Sequence, residues 1–358
     1  MDADSKFSSP PTGARGVDLG VCHRSRATQR FGGGFSHALF LLAQPTIAMT
    51  FSTRINEAIT RTGSVTCVGL DPRKAQLPAP IRDAVSSDTP DAWAAAYTQF
   101  CCEIVDVVKE MVPCVKPQAA FFEQLGPAGM VSLGQVIRYA ADAGLIVITD
   151  GKRNDIGSTA TAYADAFLGS TASVTSAGGD PATASPWGGD ALTVSPYLGR
   201  DSLEPFVEVC DQRAAGIFVL VKTSNPGGGY LQDLQCDGRT VYRSVADLVS
   251  ELNAGRLDAD GYGPIGAVVG ATYPEQLVEL RAAMPHSILL VPGFGAQGGA
   301  AEDVKAALDA SGRGAVINSS RGIIFAHARK EFAGTFGDAR WQDAVRAATV
   351  EMNEQLRA

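Results

Sequence analysis

The chain is poor in the residues that most metal sites and many acid–base catalysts use. Of its 358 residues only four are histidine, and its seven cysteines form neither a Cys-x-x-Cys pair nor a zinc-like Cys/His spacing. An odd number of cysteines without such a framework is typical of reduced thiols in a cytoplasmic protein. The sequence therefore predicts no metal site and a cytoplasmic location.

Long apolar runs and an excess of basic residues are also absent. No apolar stretch approaches the ~20 residues that a transmembrane helix needs. The net charge of −8 argues against a nucleic-acid-binding protein, which usually carries a basic face. We expect neither a membrane nor a nucleic acid as a partner. A small anionic substrate stays open, because basic residues can converge locally in an acidic protein.

The first 48 residues differ in composition from the rest of the chain. They contain a Pro-Pro pair, a Gly-Gly-Gly run and scattered arginines, but no sustained hydrophobic periodicity. We expect a disordered or non-native extension, followed by a single domain of residues 49–358. Three explanations stay open: a start codon assigned too far upstream, a disordered tail, and a targeting peptide, against which the acidic residues of the stretch count.

Short apolar runs alternate with helix-length stretches from Val65 onward, which is typical of parallel strands buried on both faces. Eight strand–helix units are the number that closes a (β/α)8 TIM barrel. We predict this α/β fold, with an open doubly wound sheet as the alternative. Residues 169–190 are rich in small residues and predict a flexible insertion. The eight runs are 65–70, 112–116, 145–149, 191–195, 217–221, 265–269, 287–291 and 314–318.

Charged residues follow the second and third runs, where a barrel enzyme carries its active site. The third run leads into DGKRND, residues 150–155, and Lys116 ends the second run. Asp150 and Lys152 point to the same side of an extended strand. A structural ion-pair network is the alternative, but such networks seldom add net stability, so we predict a catalytic cluster. Asp155 lies too far around the turn to join this cluster easily, and a partner subunit could supply it.

Residues suited to binding a phosphate follow the last two runs. The seventh run leads into PGFGAQGG, residues 292–299, and the eighth leads into NSSRG, residues 318–322. Glycine-rich backbone can approach an anion closely, and Arg321 adds a bidentate fork of donors. A tight turn would explain the glycines alone, but the nearby arginine favours a phosphate site. Asp71, after the first run, could cap a turn or bind sugar hydroxyls.

These motifs resemble the orotidine 5′-phosphate decarboxylase family, in particular its longer bacterial-type subgroup. The resemblance covers roughly residues 50–356 and implies a barrel dimer with two active sites at its interface. It also implies the cofactor-free decarboxylation of orotidine 5′-phosphate to uridine 5′-phosphate in pyrimidine biosynthesis. Asn154 and the insertion depart from the pattern without touching a charged position. The similar runs are VKPQAAFFE (115–123), DGKRNDIGSTA (150–160), SPYLG (195–199), TSNPG (223–227) and PGFGAQGG (292–299).

The resemblance assigns roles to individual residues. Lys116, Asp150 and Lys152 belong to one subunit's site, where Lys152 stabilises a carbanion at C6 of the pyrimidine and then protonates it. The residues that reach into the neighbouring subunit's site are Asp155, Ile156 and Thr159. The remaining substrate-binding residues are Asp71 for the ribose, Ser224 or its neighbour Thr223 for the pyrimidine, Gln297 and Arg321 for the phosphate, and Pro292 at the start of the same loop.

Two other functions stay open. A related Mg²⁺-dependent enzyme, such as 3-keto-gulonate 6-phosphate decarboxylase, also has an Asp-x-Lys-x-x-Asp strand end. The isoleucine after Asp155, the PGFGAQGG loop and the lack of an obvious acidic ligand set argue against it. A non-catalytic barrel that binds a phosphate ligand would not need three charged groups facing one mouth. We therefore expect an enzyme that uses neither a cofactor nor a metal.

Overall fold

The computed structural model describes residues 49–169, 184–294 and 301–357. Within these ranges eight parallel strands close into a barrel, and each strand pairs with its neighbours in chain order. The predicted TIM barrel is confirmed, and the open doubly wound sheet is wrong. The strands are β1 (Thr66–Leu70), β2 (Cys114–Pro117), β3 (Ile146–Arg153), β4 (Ala191–Val194), β5 (Gly216–Lys222), β6 (Gly263–Val269), β7 (Ser287–Pro292) and β8 (Ala315–Ser319).

Helices connect the strands. The long helices are α1 (Phe51–Thr62), α2 (Pro90–Val108), α3 (Gly126–Asp142), α4 (Gly157–Phe167), α5 (Glu204–Arg213), α6 (Val241–Asn253), α7 (Pro274–Ala283) and α8 (Trp341–Arg357). A two-residue antiparallel ladder precedes α6 and pairs Gln235–Cys236 with Arg239–Thr240. The short α or 3-10 helices are Lys74–Gln76, Ala79–Arg82, Ala119–Glu123, Arg200–Ser202, Pro226–Gly228, Gly229–Gln232, Ala301–Lys305, Arg321–Ile324, Ala326–Ala328, Lys330–Ala333 and Asp338–Arg340.

The barrel is filled with side chains, and α1 closes the end at which the strands begin. Every residue of β1, β2, β4 and β6 is buried, as expected for strands covered on both faces. The ring of Phe51 is fully buried and lies edge-on to Phe218, with ring centroids 5.9 Å apart. A Cβ atom at Gly216 would lie 2.2 Å from the Phe51 ring, so only glycine fits there. The open end is the one at which the strands finish.

The connection between β7 and β8 contains a short helix that ends at Lys305. The carboxylate of Asp309 accepts hydrogen bonds from the backbone amides of Ser311 and Arg313, at 2.8 and 2.9 Å. Aspartate side chains that bind nearby amides in this way stabilise a turn in competition with a helix. The connection therefore turns toward β8 early.

The predicted insertion is described only in part, because residues 170–183 lie outside the described ranges. Its last residues pack against the barrel. The Trp187 ring stacks on Phe167 with centroids 5.3 Å apart, and the amide of Gly189 donates to the carbonyl of Phe167 at 2.9 Å. These contacts lie just before the start of β4.

Candidate active site

Three strands bring charged and polar side chains around one carboxylate at the open end. The buried carboxylate of Asp150 in β3 accepts from Lys116 Nζ at 2.6 Å and from Lys152 Nζ at 2.5 Å. Gln118 Nε2 donates to it at 2.8 Å, and the Thr193 hydroxyl of β4 donates at 3.0 Å. Lys116, Asp150 and Lys152 thus form the predicted cluster. The amide donor of Gln118 and the hydroxyl donor of Thr193 were not predicted.

The charges of this cluster stabilise one another in a buried setting. Burial alone would raise the pKa of Asp150, but the adjacent ammonium groups of Lys116 and Lys152 outweigh it and hold that pKa well below its usual range. Burial would lower the pKa of Lys116, but the negative charges of Asp150 and Asp71 raise it. The pair therefore stays ionised at neutral pH. The Lys152 side chain differs from that of Lys116, because it is 48% exposed at the mouth of the barrel.

The backbone of Lys152 explains how its side chain reaches Asp150. Lys152 has a φ of 45°, a left-handed conformation that is uncommon outside glycine. The pairing of β3 with β4 shifts register between Thr149 and Arg153, and the Lys152 amide donates to the Thr193 hydroxyl at 2.9 Å. The two charges therefore meet through an irregularity in the strand and not through the regular alternation that the sequence suggested. Strain of this kind costs about 1–3 kcal/mol and is common at active sites.

Arg153 supports the same strand end from the other side. Its guanidinium donates to the carbonyl of Gly151 at 2.8 Å and forms an ion pair with Glu123. It also lies over the rings of Tyr163 and Phe167, with its Cζ atom 5.6 and 5.3 Å from their centroids. These contacts brace the residues on both sides of Lys152.

The other side chains predicted to contact the substrate divide into three groups. Asp71 and Arg321 line a cavity of about 270 Å³ together with Lys116, Asp150 and Pro292. Its full lining is Asp71, Arg73, Lys116, Gln118, Asp150, Pro292, Gly293, Phe294, Asn318, Ser319, Ser320, Arg321 and Gly322. A Cβ atom at Gly69 would lie 1.8 Å from the Ser320 hydroxyl, so a glycine is needed where β1 passes the loop that follows β8. Gln297 lies outside the described residues.

The second group lies beyond the end of β3. The carboxylate of Asp155 accepts from the backbone amide of Ile156 at 2.9 Å and has no ion pair within the described ranges. Ile156 is 55% exposed, and Thr159 is exposed in the first turns of α4. Within one chain, therefore, Asp155 does not join Lys116, Asp150 and Lys152.

The two candidates for the pyrimidine contact differ in their hydrogen bonds. The Thr223 hydroxyl donates to Asn225 Oδ1 at 2.7 Å and accepts from Gln232 Nε2 at 2.8 Å. The Ser224 hydroxyl has no hydrogen bond within the described part of the chain, and it follows the same strand, β5. The Thr223 hydroxyl therefore holds the loop, while that of Ser224 is available to a ligand.

Comparison with known proteins decides the family. The model of the orotidine 5′-phosphate decarboxylase / HUMPS family matches residues 64–335. A protein named orotidine 5′-phosphate decarboxylase from Rhodopirellula baltica is 76% identical over 309 residues, which cover 86% of this chain and 99% of that protein. The chain belongs to this family. A Caldicellulosiruptor bescii protein of the same name is 39% identical over 283 residues, covering 78% of this chain and 90% of its own.

Solved structures agree with this family membership. The structure of Leishmania donovani OMP decarboxylase aligns with a TM-score of 0.63 at 34% identity, covering 86% of this chain and 98% of its own. That of Leishmania donovani UMP synthase aligns with a TM-score of 0.65 at 36% identity, covering 87% of this chain and 56% of its own. The resemblance that the strand-end motifs carried is confirmed.

In this member of the orotidine 5′-phosphate decarboxylase family, sequence reasoning missed a buried ion pair beside the Ser224 loop. Lys222, at the end of β5, is only 1% exposed and pairs with Asp233. Its ammonium lies over the rings of Tyr242 and Tyr273, 5.4 and 5.1 Å from their centroids. A lysine that ends an apolar strand is the available signal, and it is the same signal that pointed to Lys116.

No cluster of three or more His, Cys, Asp or Glu side chains within the described ranges is arranged to hold a metal ion. The charges at the strand ends alternate in sign around Asp150, so they neutralise one another instead of leaving a set of carboxylates for a cation. What this arrangement offers chemically is a fixed ammonium group at the mouth of the barrel.

Proposed function

We propose that this chain decarboxylates orotidine 5′-phosphate to uridine 5′-phosphate and CO₂ in pyrimidine biosynthesis. The observation that carries the proposal is the cluster of Lys116, Asp150 and Lys152 at the strand ends of a barrel that belongs to this family. Loss of CO₂ breaks the bond between C6 and the carboxylate carbon and leaves the electron pair on C6. The site must stabilise that carbanion electrostatically and then protonate it.

Lys152 is suited to both tasks. Its ammonium is held by Asp150 beside a cavity of about 470 Å³, whereas Lys116 is buried beneath the same carboxylate. A pre-positioned cation stabilises the charge that develops on C6 without reorganisation, and the same Nζ then donates a proton to C6. Lys116 balances the charge of Asp150, and the contacts of Thr193 and Gln118 keep the carboxylate fixed. Lys152, Asp150, Lys116 and Asp155 are the proposed catalytic residues.

The substrate contacts that we propose involve all three parts of the nucleotide. Asp71 binds the ribose, the free hydroxyl of Ser224 binds the pyrimidine, and Arg321, with Gln297 and Pro292 in the β7 loop, binds the phosphate end. Arg321 is exposed and has no ion pair within the described ranges, so its guanidinium is available to an anion. Phosphate binding is remote from C6, and its energy can organise the closed site.

We also propose a homodimer with shared active sites, in which Asp155, Ile156 and Thr159 reach the partner's site. Large exposed apolar side chains follow three adjacent strands, β3, β4 and β5, and support an interface at this end of the barrel. They are Ile156, Tyr197, Leu198, Tyr230, Leu231 and Leu234, between 42 and 89% exposed. Asp155, which has no ion pair within the described ranges, would complete the neighbouring cluster.

A spectrophotometric assay tests the activity. The purified protein should convert orotidine 5′-phosphate to uridine 5′-phosphate, and the rate should not change when excess EDTA is present, because the protein's own ammonium groups supply the charge stabilisation. Activity that EDTA abolishes and Mg²⁺ restores would favour the metal-dependent relative. Tight nucleotide binding without turnover would favour a non-catalytic barrel.

We propose further that residues 1–48 are a dispensable extension of a single-domain enzyme. Thr50 and Phe51 mark the start of what the barrel needs, because the Thr50 hydroxyl caps α1 and Phe51 closes the barrel. A chain that starts at Met49 should keep the kcat/KM and the thermal unfolding midpoint of the full chain. A chain that starts at Ser64 lacks α1 and should unfold at a markedly lower temperature. A large loss in the first variant would contradict the proposal.

A cytoplasmic location is part of the same proposal. The six cysteines of the described ranges are all free. No helix there is both long and apolar enough to cross a membrane.

A further inference from the structure

Arg73, in the loop after β1, has a side chain whose hydrogen-bond donors have no partner within the described ranges. Its guanidinium forms no hydrogen bond or ion pair within the described ranges, and its Nε atom is buried without a partner. The guanidinium lies over the ring of Phe121, whose centroid is 5.0 Å from Cζ. An arginine stacked in this way presents its donors in a fixed plane. A buried donor left unpaired destabilises the protein, and a ligand that accepts from it removes this cost.

Asp71, two residues earlier in the same loop, has a hydrogen-bond acceptor without a donor within the described ranges. Its Oδ1 atom is buried and accepts no hydrogen bond, and its carboxylate forms no ion pair within the described ranges. A carboxylate can only accept hydrogen bonds and a guanidinium can only donate them. The two groups do not pair with each other, although both line the same cavities. Both are therefore available to a ligand group that donates one hydrogen bond and accepts another.

The position of Arg73 relative to the two cavities indicates which part of the substrate it meets. Four residues line both the cavity beside Lys152 and the cavity that reaches Arg321, namely Asp71, Arg73, Gln118 and Asp150. Arg321 lines only the second of these two. Arg73 thus lies where the two cavities meet, next to the carboxylates of Asp71 and Asp150. A sugar hydroxyl is the group that donates to a carboxylate and accepts from a guanidinium at once.

We infer that Arg73 is a specificity-determining residue that binds a ribose hydroxyl of the substrate together with Asp71. The hydroxyl donates its proton to Asp71 Oδ1, and its oxygen accepts from the Arg73 guanidinium, which Phe121 holds in place. This inference rests on the proposed function, because it takes a ribonucleotide as the ligand. It adds a selective contact for the ribose that is independent of the charges at C6.

Calorimetric binding of nucleotides tests the inference. The ligands are uridine 5′-phosphate, its 2′-deoxy and 3′-deoxy analogues, and uridine, which lacks the phosphate. Arg73→Met keeps most of the side-chain stem and removes the donors. We expect it to raise the Kd for uridine 5′-phosphate about ten- to a hundredfold, as for the loss of a hydrogen bond from a charged group. Against one of the two deoxy analogues, which lacks the hydroxyl concerned, the same variant should change the Kd less than about threefold.

Two further variants serve as controls. Arg321→Met should show the opposite pattern, with a penalty that persists for both deoxy analogues and vanishes for uridine. Arg61→Met removes an exposed arginine of α1 and should leave every Kd unchanged. Arg73→Lys keeps the charge and should show a smaller penalty with the same dependence on the hydroxyl, which also serves if Arg73→Met does not fold.

Several results would overturn the inference. The first is an unchanged Kd for uridine 5′-phosphate in both Arg73 variants. The second is a penalty that vanishes for uridine, which would place Arg73 at the phosphate. The third is an equal penalty for every ligand, which would make the role of Arg73 structural. If the wild-type protein neither binds uridine 5′-phosphate nor decarboxylates orotidine 5′-phosphate, the proposed function fails together with the inference. Normal turnover with any of the first three results rejects the role of Arg73 alone.

Discussion

Replacing Lys152 with alanine should lower kcat/KM for orotidine 5′-phosphate by at least about 10⁴-fold. A positioned general acid contributes about 10²–10⁴-fold, and the loss of one pre-organised charge-stabilising group costs about 10²–10³-fold. Lys152 performs both roles in the proposed mechanism, so the two effects act together. Lys116 cannot replace it, because Lys116 is only 5% exposed and its ammonium binds the other carboxylate oxygen of Asp150, Oδ2.

The measurement is steady-state decarboxylation by ultraviolet absorbance, with a parallel measurement of product affinity. Uridine 5′-phosphate should still bind Lys152→Ala, since the proposed phosphate, ribose and pyrimidine contacts are intact. Lys330→Ala is the matched control, because Lys330 is exposed in a helix after β8 and contacts no part of the cluster. A decrease of less than tenfold in Lys152→Ala would reject its role as proton donor.

Mixing two inactive variants should restore activity if Asp155 acts in the partner's site. A dimer of one Asp155→Ala subunit and one Lys152→Ala subunit contains one site with both native residues. Random association of equal amounts gives heterodimers in about half of the dimers, so about one quarter of all sites should be active. Each variant alone has no intact site, so the expected increase is from background to about one quarter of the wild-type rate.

The matched control for this experiment combines Lys116→Ala with Lys152→Ala. Both residues belong to the cluster of one chain, since both ammonium groups bind the same Asp150 carboxylate. No heterodimer of this pair contains an intact site, so mixing should restore nothing. Recovery that is equal in both mixtures, or absent from both, would contradict the assignment of Asp155 to the partner subunit.

The fold and the location of the site were predictable because each depends on a pattern that is local in the sequence. Strands buried on both faces must be apolar along their length. Runs such as 145–149 and 265–269 could therefore be recognised as strands from the sequence. A parallel barrel brings all strand ends to one mouth, so Lys116, Asp150 and Arg321 could be expected near one another before the register was known.

The hydrogen bonds within the site were not predictable in the same way. The four donors to Asp150 come from three different strands, and they meet because the barrel register places Gln118 opposite Asp150. The left-handed Lys152 depends on the register shift between β3 and β4, and not on any property of lysine. The sequence therefore predicted the contact between Lys152 and Asp150 correctly, but it did so from a regular strand, whereas the strand is irregular at this point.

Local sequence thus sets the strands, the charges at their ends and the resemblance to a decarboxylase. The barrel register sets which hydrogen bonds those end groups make, and it leaves Asp71 Oδ1 and Arg73 Nε without a partner within the described ranges. The physical reason is that periodicity and composition act within one segment. A hydrogen bond between strands depends on a few tenths of an ångström in the packing of distant segments, which no single segment encodes.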